Sequence, residues 1–206
     1  VQTCALPIFS SEDRGEPGIP FHVMLRALIT AETPVDALVT LQKGKRSSSA
    51  NYLIAHRSGL AMDFECEAGD LTRIAQIPPD DRGIILHTNH FIGGGLTGTD
   101  VGLWVYPDSP FRMQRLQRAV RLADKLTPPD WFLDIAQDHA GYPNGVCCHP
   151  DPSYPLEEQG ATVAGAIMNL STGTMHIWDG YPCTAERSDR DFGEQWGTAS
   201  VWMTAV

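Results

Sequence analysis

No apolar run in these 206 residues approaches the ~18 needed to cross a bilayer, so the sequence offers no membrane span. Positive charge is also scarce. Fifteen Lys and Arg stand against 25 Asp and Glu, a net charge of −10. Nucleic-acid binding needs clustered cations to neutralise phosphates, and this balance argues against it. The short basic group Lys43, Lys45 and Arg46 reads as a solvated loop. Cysteine is sparse and odd in number, five in all, with Cys147 and Cys148 adjacent. That argues against a disulfide framework and for a reducing, cytoplasmic compartment. No secretory leader pattern is visible. Familiar catalytic spacings are missing too. There is no G-x-S-x-G elbow to serve a serine hydrolase, although Asp138-His139 and the histidines near Asn89 could supply a base. The run Gly93-Gly94-Gly95 lacks the Lys and Ser/Thr of a phosphate loop and reads as a flexible turn. The zinc spacings C-x-x-C and H-E-x-x-H do not occur.

What is present suits one α+β domain over 1–206, long enough to bury a core. Apolar residues at Phe21, Met24, Leu25 and Leu28 mark a helical face over Phe21 to Ala31. A second helix runs from the N-cap Thr33, with Pro34 at its first position and Asp36 in its first turn, to about Gln42. Strands are expected at Asn51–Ala55 and Gly59–Glu65, joined by a turn, then at Leu71–Ile77 and Gly83–His87. Ser109 and Pro110 open a helix carrying Arg112, Arg115, Arg118 and Arg121. Another helix spans Thr127 to about Asp138, and two strands follow at Thr162–Leu170 and Thr174–Trp178. The opening residues, VQTCALPIFS, are already of buried type, as if the chain were cut inside a domain.

Gly83 to Phe91, GIILHTNHF, concentrates the candidate chemistry. The apolar Ile84-Ile85-Leu86 delivers His87, Thr88, Asn89 and His90 to an expected strand end beside the glycine run. A neutral amide such as Asn89 is a poor base but a good donor to a developing oxyanion. A metal at His87 and His90 would need a bend, because residues three apart on a strand point to opposite faces. A metal-assisted hydrolase would then use His87, His90 and His149. Of the arginine row, Arg112 at the helix start could clamp a carboxylate, while the others read as a solvated face.

Eight segments in order resemble the acyl-coenzyme A:6-aminopenicillanic acid acyltransferase family. They are Gly18-Ile19-Pro20-Phe21-His22 through Arg26, Asn51-Tyr52-Leu53-Ile54-Ala55, His87-Thr88-Asn89-His90-Phe91, and Asp108-Ser109 with Arg112. After these come Asp138-His139, Val146-Cys147-Cys148-His149-Pro150, Thr162-Val163 and Gly180-Tyr181-Pro182-Cys183. The resemblance implies an N-terminal-nucleophile hydrolase with an αββα sandwich, here expected to be incomplete at its N-terminus. It further implies autoproteolysis at a cysteine whose thiol becomes the nucleophile and whose α-amine becomes the base. Asn89 would be the oxyanion donor, with His87 and His90 shaping its loop. The implied substrate is a small-molecule acyl amide or acyl donor, with no cofactor and, as a further partner, an N-terminal fragment of the same precursor. The nucleophile of such proteins stands well upstream of the G-x-P-x-H segment. Cys4 is the one cysteine before Gly18, and it reads as an ordinary small apolar residue, so the nucleophile is expected outside this chain. Cys148 stands where relatives often carry a basic residue, which puts one charge contact in doubt. A catalytically silent relative that only binds acylated ligands is the alternative outside enzymes.

Overall fold

A computed structural model describes residues 2–70, 72–123, 129–192 and 202–205. The chain divides into two compact units, Val1–Ser109 and Pro110–Val206.

The first unit holds β1 (Gln2–Leu6), α1 (Phe21–Ile29), α2 (Pro34–Lys43), β2 (Ala50–Ala55), β3 (Ala61–Cys66) and β4 (Ile74–Ile77). The four strands form an antiparallel sheet in the order β1-β2-β3-β4. Side chains alternate across a strand, so the pairing of Tyr52 with Phe64 and of Asn51 with Glu65 sorts the sheet into two unlike faces. One face carries Tyr52, Ile54, Phe64 and Cys66. It packs on Met24 and Leu28 of α1 and Ala37 and Leu41 of α2. Each large apolar side chain buried there contributes about 1.5–3 kcal/mol. The opposite face carries Asn51, Asp63 and Glu65, all buried. Burying a carboxylate is costly unless it is hydrogen-bonded, so this face needs donors from elsewhere in the chain.

The helix boundaries have local causes. Thr33 accepts a hydrogen bond from the Asp36 amide at 3.1 Å, and Asp36 accepts one from the Thr33 amide at 3.2 Å. This reciprocal cap starts α2 where expected. The basic group after α2 departs from expectation. Lys43 and Lys45 are exposed, but Arg46 is buried. Its guanidinium donates to the carbonyls of Glu67, Leu41, Asp70 and Arg73, tying the lead into β2 to the end of β3. Five donors in a rigid fork allow one side chain to satisfy several carbonyls at once.

A second correction concerns Gly83–His87, which forms no strand. Ile74–Ile77 pairs with β3, and the chain then turns around Asp80, whose carboxylate accepts the Arg82 and Ile84 amides at 3.0 and 2.8 Å. Residues 84–88 continue as irregular backbone. Leu71, at the expected start of the preceding strand, lies outside the described residues.

The second unit holds most of α3 (Ser109–Leu122), then α4 (Asp130–Ala136), β5 (Ala164–Asn169), β6 (Thr174–Asp179), β7 (Arg187–Asp191) and β8 (Trp202–Ala205). Its sheet is antiparallel in the order β7-β6-β5-β8. Trp178 on β6 is buried with Ile167 and Ala136. A Cβ at Gly165 would lie 2.0 Å from the Trp178 ring, so the indole can occupy that place only over glycine. Strands β7 and β8 depart from expectation, and β7 is Arg-Ser-Asp-Arg-Asp, an exposed, charged edge with no apolar alternation. Thr127 and Pro128, at the expected start of the α4 region, lie outside the described residues. No helix of the described residues is long and apolar enough to cross a membrane.

Candidate functional site

The residues His87–Asn89–His90 lie on a loop, and buried carboxylates hold that loop in place. Glu65 of β3 accepts from His87 Nε2 at 2.9 Å, from the Ile92 amide at 2.5 Å and from the Gly93 amide at 2.9 Å. Glu67, just past β3, accepts from Ser10 Oγ at 2.8 Å and from the amides of Thr97 and Gly98 at 3.1 and 2.6 Å. Two acids, one on β3 and one just past its end, thus supply acceptors for the segment from 87 to 98. Burial pushes the Glu67 carboxyl upward, but hydrogen bonds from Ser10, Thr97 and Gly98 outweigh it and hold the group below its usual range. Asp63 has no such donors: both its oxygens, and both polar atoms of the Asn51 amide, are buried without a hydrogen-bond partner among the described residues. Burial holds the Asp63 carboxyl above the usual carboxylate range.

The glycine run is not a free hinge. A Cβ at Gly93 would fall 2.6 Å from Ile77 Cδ1 and 2.7 Å from Glu65 Oε2. One at Gly98 would fall 1.9 Å from Ser10 Oγ. Those glycines let the backbone come close enough to donate to the buried acids, whereas Gly94 has open space around it.

Within this frame His87 presents both ring nitrogens to acceptors, Nε2 to Glu65 and Nδ1 to the Thr88 carbonyl at 2.5 Å. A ring that carries N–H on both nitrogens satisfies both contacts. His90 Nδ1 meets Ser109 Oγ at 2.8 Å, and Ser109 Oγ also lies 3.0 Å from Thr88 Oγ1. Thr88 spends its own proton on the Ser109 carbonyl, at 3.1 Å. A proton on His90 Nδ1 therefore closes the network, with Ser109 donating to Thr88. The same Ser109 hydroxyl accepts the Asn89 amide at 2.7 Å, and the Asn89 side-chain Nδ2 donates to the Pro7 carbonyl at 3.1 Å. Asn89 is thereby held through both its backbone and its carboxamide, an orientation suited to a fixed N–H donor.

The other expected site residues fall in the second unit. Arg112 is half-buried on α3, and the amide of Cys148 donates to Thr162 Oγ1 at 3.0 Å. Arg115, expected on a solvated face, instead grips Asp138, its Nε lying 3.1 Å from Oδ2. Two ion-pair nitrogens reaching one acid explain the departure. Burial pushes Asp138 upward, and the Arg115 hydrogen bonds more than offset it, leaving the carboxyl below its usual range. The alternative metal reading named His87, His90 and His149. Among the described residues the group able to hold a metal contains His149 together with His139, Cys147 and Cys183, and neither His87 nor His90. Both nitrogens of His87 are already committed to acceptors.

The sequence reading missed Glu65, Glu67 and Ser109 as supports of the loop. Their signal was the pattern Asp63-Phe64-Glu65-Cys66-Glu67, acids at every second position of an otherwise apolar strand.

The cysteines complete the inventory. Cys66 is buried, and burial pushes its thiol up to about 12, which suits an inert core residue. The backbone of Cys4 pairs with Leu53 in the middle of β1. The side chain of Cys4 lies outside what the structure describes.

No curated protein matches the chain significantly. The model of the acyl-coenzyme A:6-aminopenicillanic acid acyl-transferase family matches residues 3–178, well over half of its length. That span contains the loop of Asn89, the acids beneath it and the segment around Asp138. The chain belongs to the acyl-coenzyme A:6-aminopenicillanic acid acyl-transferase family.

Proposed function

We propose that this chain is the C-terminal portion of an N-terminal-cysteine amide hydrolase or acyltransferase acting on linear, non-peptide amide bonds. The observation that carries the proposal is Asn89, fixed at its backbone by Ser109 and at its amide by Pro7 within a loop anchored on buried acids. Family membership supports acyl transfer as the reaction class and a small-molecule acyl amide or acyl donor as the substrate.

In this reading the nucleophilic cysteine lies outside these residues. Cys66 is buried with its thiol pushed up, and Cys4 sits inside a strand, so neither has the features of a processed terminal nucleophile. A cysteine freed by autoproteolysis attacks the amide carbonyl as its own α-amine takes the thiol proton. The carbonyl oxygen becomes an alkoxide, and Asn89 donates N–H to it. Collapse breaks the C–N bond, the amine leaves with the proton, and a thioester remains. Water then gives an acid by hydrolysis, or a second amine gives a new amide by transfer. His87 and His90 shape the loop, and Arg112 and Cys148 contact or orient substrate. Both units belong to one domain with an αββα sandwich. Among the described residues β1 pairs with β2 alone, and an N-terminal fragment of the same precursor would add its strand beside β1. The described free thiols are compatible with a cytoplasmic setting.

The test is a longer precursor carrying the upstream cysteine, mixed with an acyl amide and examined by intact mass. A thioester adduct on a newly exposed N-terminal cysteine is the expected result. A self-processed protein that binds acyl ligands yet never acylates would make it the silent, ligand-binding relative instead.

A further inference from the structure

In the second unit four side chains from two stretches of chain converge. The donor atoms of His139, Cys147, His149 and Cys183 all lie within 4.8 Å of one another. His149 Nε2 stands 3.1 Å from His139 Nε2, 3.4 Å from Cys147 Sγ and 3.6 Å from Cys183 Sγ. An imidazole nitrogen has one N–H or one lone pair, so hydrogen bonding accounts for one of these three neighbours. A tetrahedral zinc ion, with Zn–N near 2.0–2.1 Å and Zn–S near 2.3 Å, holds nitrogen pairs about 3.3 Å apart and nitrogen–sulfur pairs about 3.6 Å apart. The observed separations follow that pattern.

We propose that His139, Cys147, His149 and Cys183 form a structural Cys2His2 site for Zn2+. Two thiolates balance the charge of the ion, and a tetrahedral set of two sulfurs and two nitrogens selects zinc over hard cations. Four protein ligands fill the coordination shell, so no position remains for substrate or catalytic water. This role is separate from amide chemistry at Asn89.

The surrounding chain is built to hold the ligands before metal arrives. Arg115 grips Asp138 beside the first ligand. The Asp138 carbonyl accepts the Cys147 amide at 3.0 Å, and the Pro143 carbonyl accepts the His149 amide at 2.8 Å. Cys183 sits in a turn closed by the Thr184 and Ala185 amides donating to the Tyr181 carbonyl. The Tyr181 ring covers that of His149, with centroids 4.2 Å apart. The loop 139–149 and the turn after β6 are far apart in sequence, and one ion would cross-link them. Burial pushes the Cys147 thiol up to about 11, so zinc must displace its proton on binding.

The experiment uses the full 206-residue chain. Elemental analysis of the purified protein should find about one zinc per chain. Cobalt(II) added to metal-free protein should give the intense visible absorption of tetrahedral thiolate coordination, with a one-to-one end point and reversal by zinc. His139→Ala, which removes the most exposed ligand, should weaken cobalt binding at least tenfold. Should Cys147→Ser fail to fold, the wild-type cobalt titration still decides. Wild-type protein that binds neither metal, cobalt bound without thiolate bands, or a Cys147–Cys183 disulfide in the native protein would each overturn the proposal. None of these readings depends on a nucleophile or on acyl transfer.

Discussion

His87 Nε2 lies 2.9 Å from a carboxylate oxygen of Glu65, and both side chains are almost wholly withdrawn from solvent, 1% and 0% exposed. Glu65 sits on β3 and His87 on the irregular segment that follows β4, so the contact fastens a loop to a sheet. The same carboxylate accepts two loop amides. Removing it leaves three donors without their acceptor at once. Glu65→Ala should therefore cost about 3–5 kcal/mol, the range for breaking a buried pair on one side. A fall in the urea midpoint of that size, read by far-ultraviolet circular dichroism, checks it. A midpoint within error of wild type would mean that the pair is not holding the loop.

Asn89 is the residue on which the catalytic reading stands or falls. In the intact, self-processed enzyme Asn89→Ala should lose about 2.7–4 kcal/mol of transition-state stabilisation, mostly in kcat. Asn89→Asp should be at least as harmful, because it places negative charge where an oxyanion develops. Steady-state kinetics with KM and kcat separated provides the measurement, and wild-type turnover in Asn89→Ala would refute the role.

The glycines of the loop should behave unequally. Gly93→Ala forces a methyl to within 2.6 Å of Ile77 and 2.7 Å of Glu65, and overpacking of this kind costs about 1–3 kcal/mol. Gly94→Ala meets nothing within 4 Å and should stay within about 0.5 kcal/mol of wild type. Melting temperatures of the two variants side by side test the contrast. Equal effects would show that the run is a simple flexible turn.

Glu67 gives the fold a pH dependence of known sign. Its folded-state carboxyl lies below the usual range, so the unfolded chain binds the proton more readily. The stability it contributes is complete above the ordinary carboxylate range and is lost as pH falls through the depressed folded value. Asp63 acts in the opposite sense, since burial raises its carboxyl and its ionisation costs stability as pH rises through and above the ordinary range. Urea midpoints between neutral and acid pH should fall for wild type and fall less steeply for Glu67→Gln. An unchanged slope in that variant would remove Glu67 from the account.

Cys66 should resist chemistry. With its thiol raised to about 12 by burial, it should escape iodoacetamide at mildly alkaline pH in the native protein and react once urea is added. Peptide mapping by mass spectrometry distinguishes the two cases, and rapid native labelling at Cys66 would contradict its inert placement.

Local chemistry made part of this protein legible from sequence. Thr33, Pro34 and Asp36 announce α2 because a helix start is satisfied by residues within one turn of it, and the structure closes that cap with bonds spanning three residues. The short apolar run Tyr52-Leu53-Ile54-Ala55 marks β2 for the same reason of short range. The order of eight motifs carries the family without any structure. Long-range compensation was not legible. Ile84-Ile85-Leu86 has the composition of a strand, yet its neighbourhood bonds to Asp80 and to acids on β3, so it forms no ladder. Arg46 looks like a surface cation and is buried, because the Leu41 carbonyl and three carbonyls more than twenty residues away converge on its guanidinium. Glu65 and Glu67 look misplaced in a core strand until the Ile92, Gly93, Thr97 and Gly98 amides arrive to meet them. Likewise His139, Cys147, His149 and Cys183 share no recognised spacing, and their convergence exists only after the turn following β6 meets the loop anchored by Asp138. Sequence determined the elements whose energetics close within a few residues, together with the family. Tertiary structure alone decided which buried charges found partners, since a donor that pays the desolvation of a carboxylate can come from any distance along the chain.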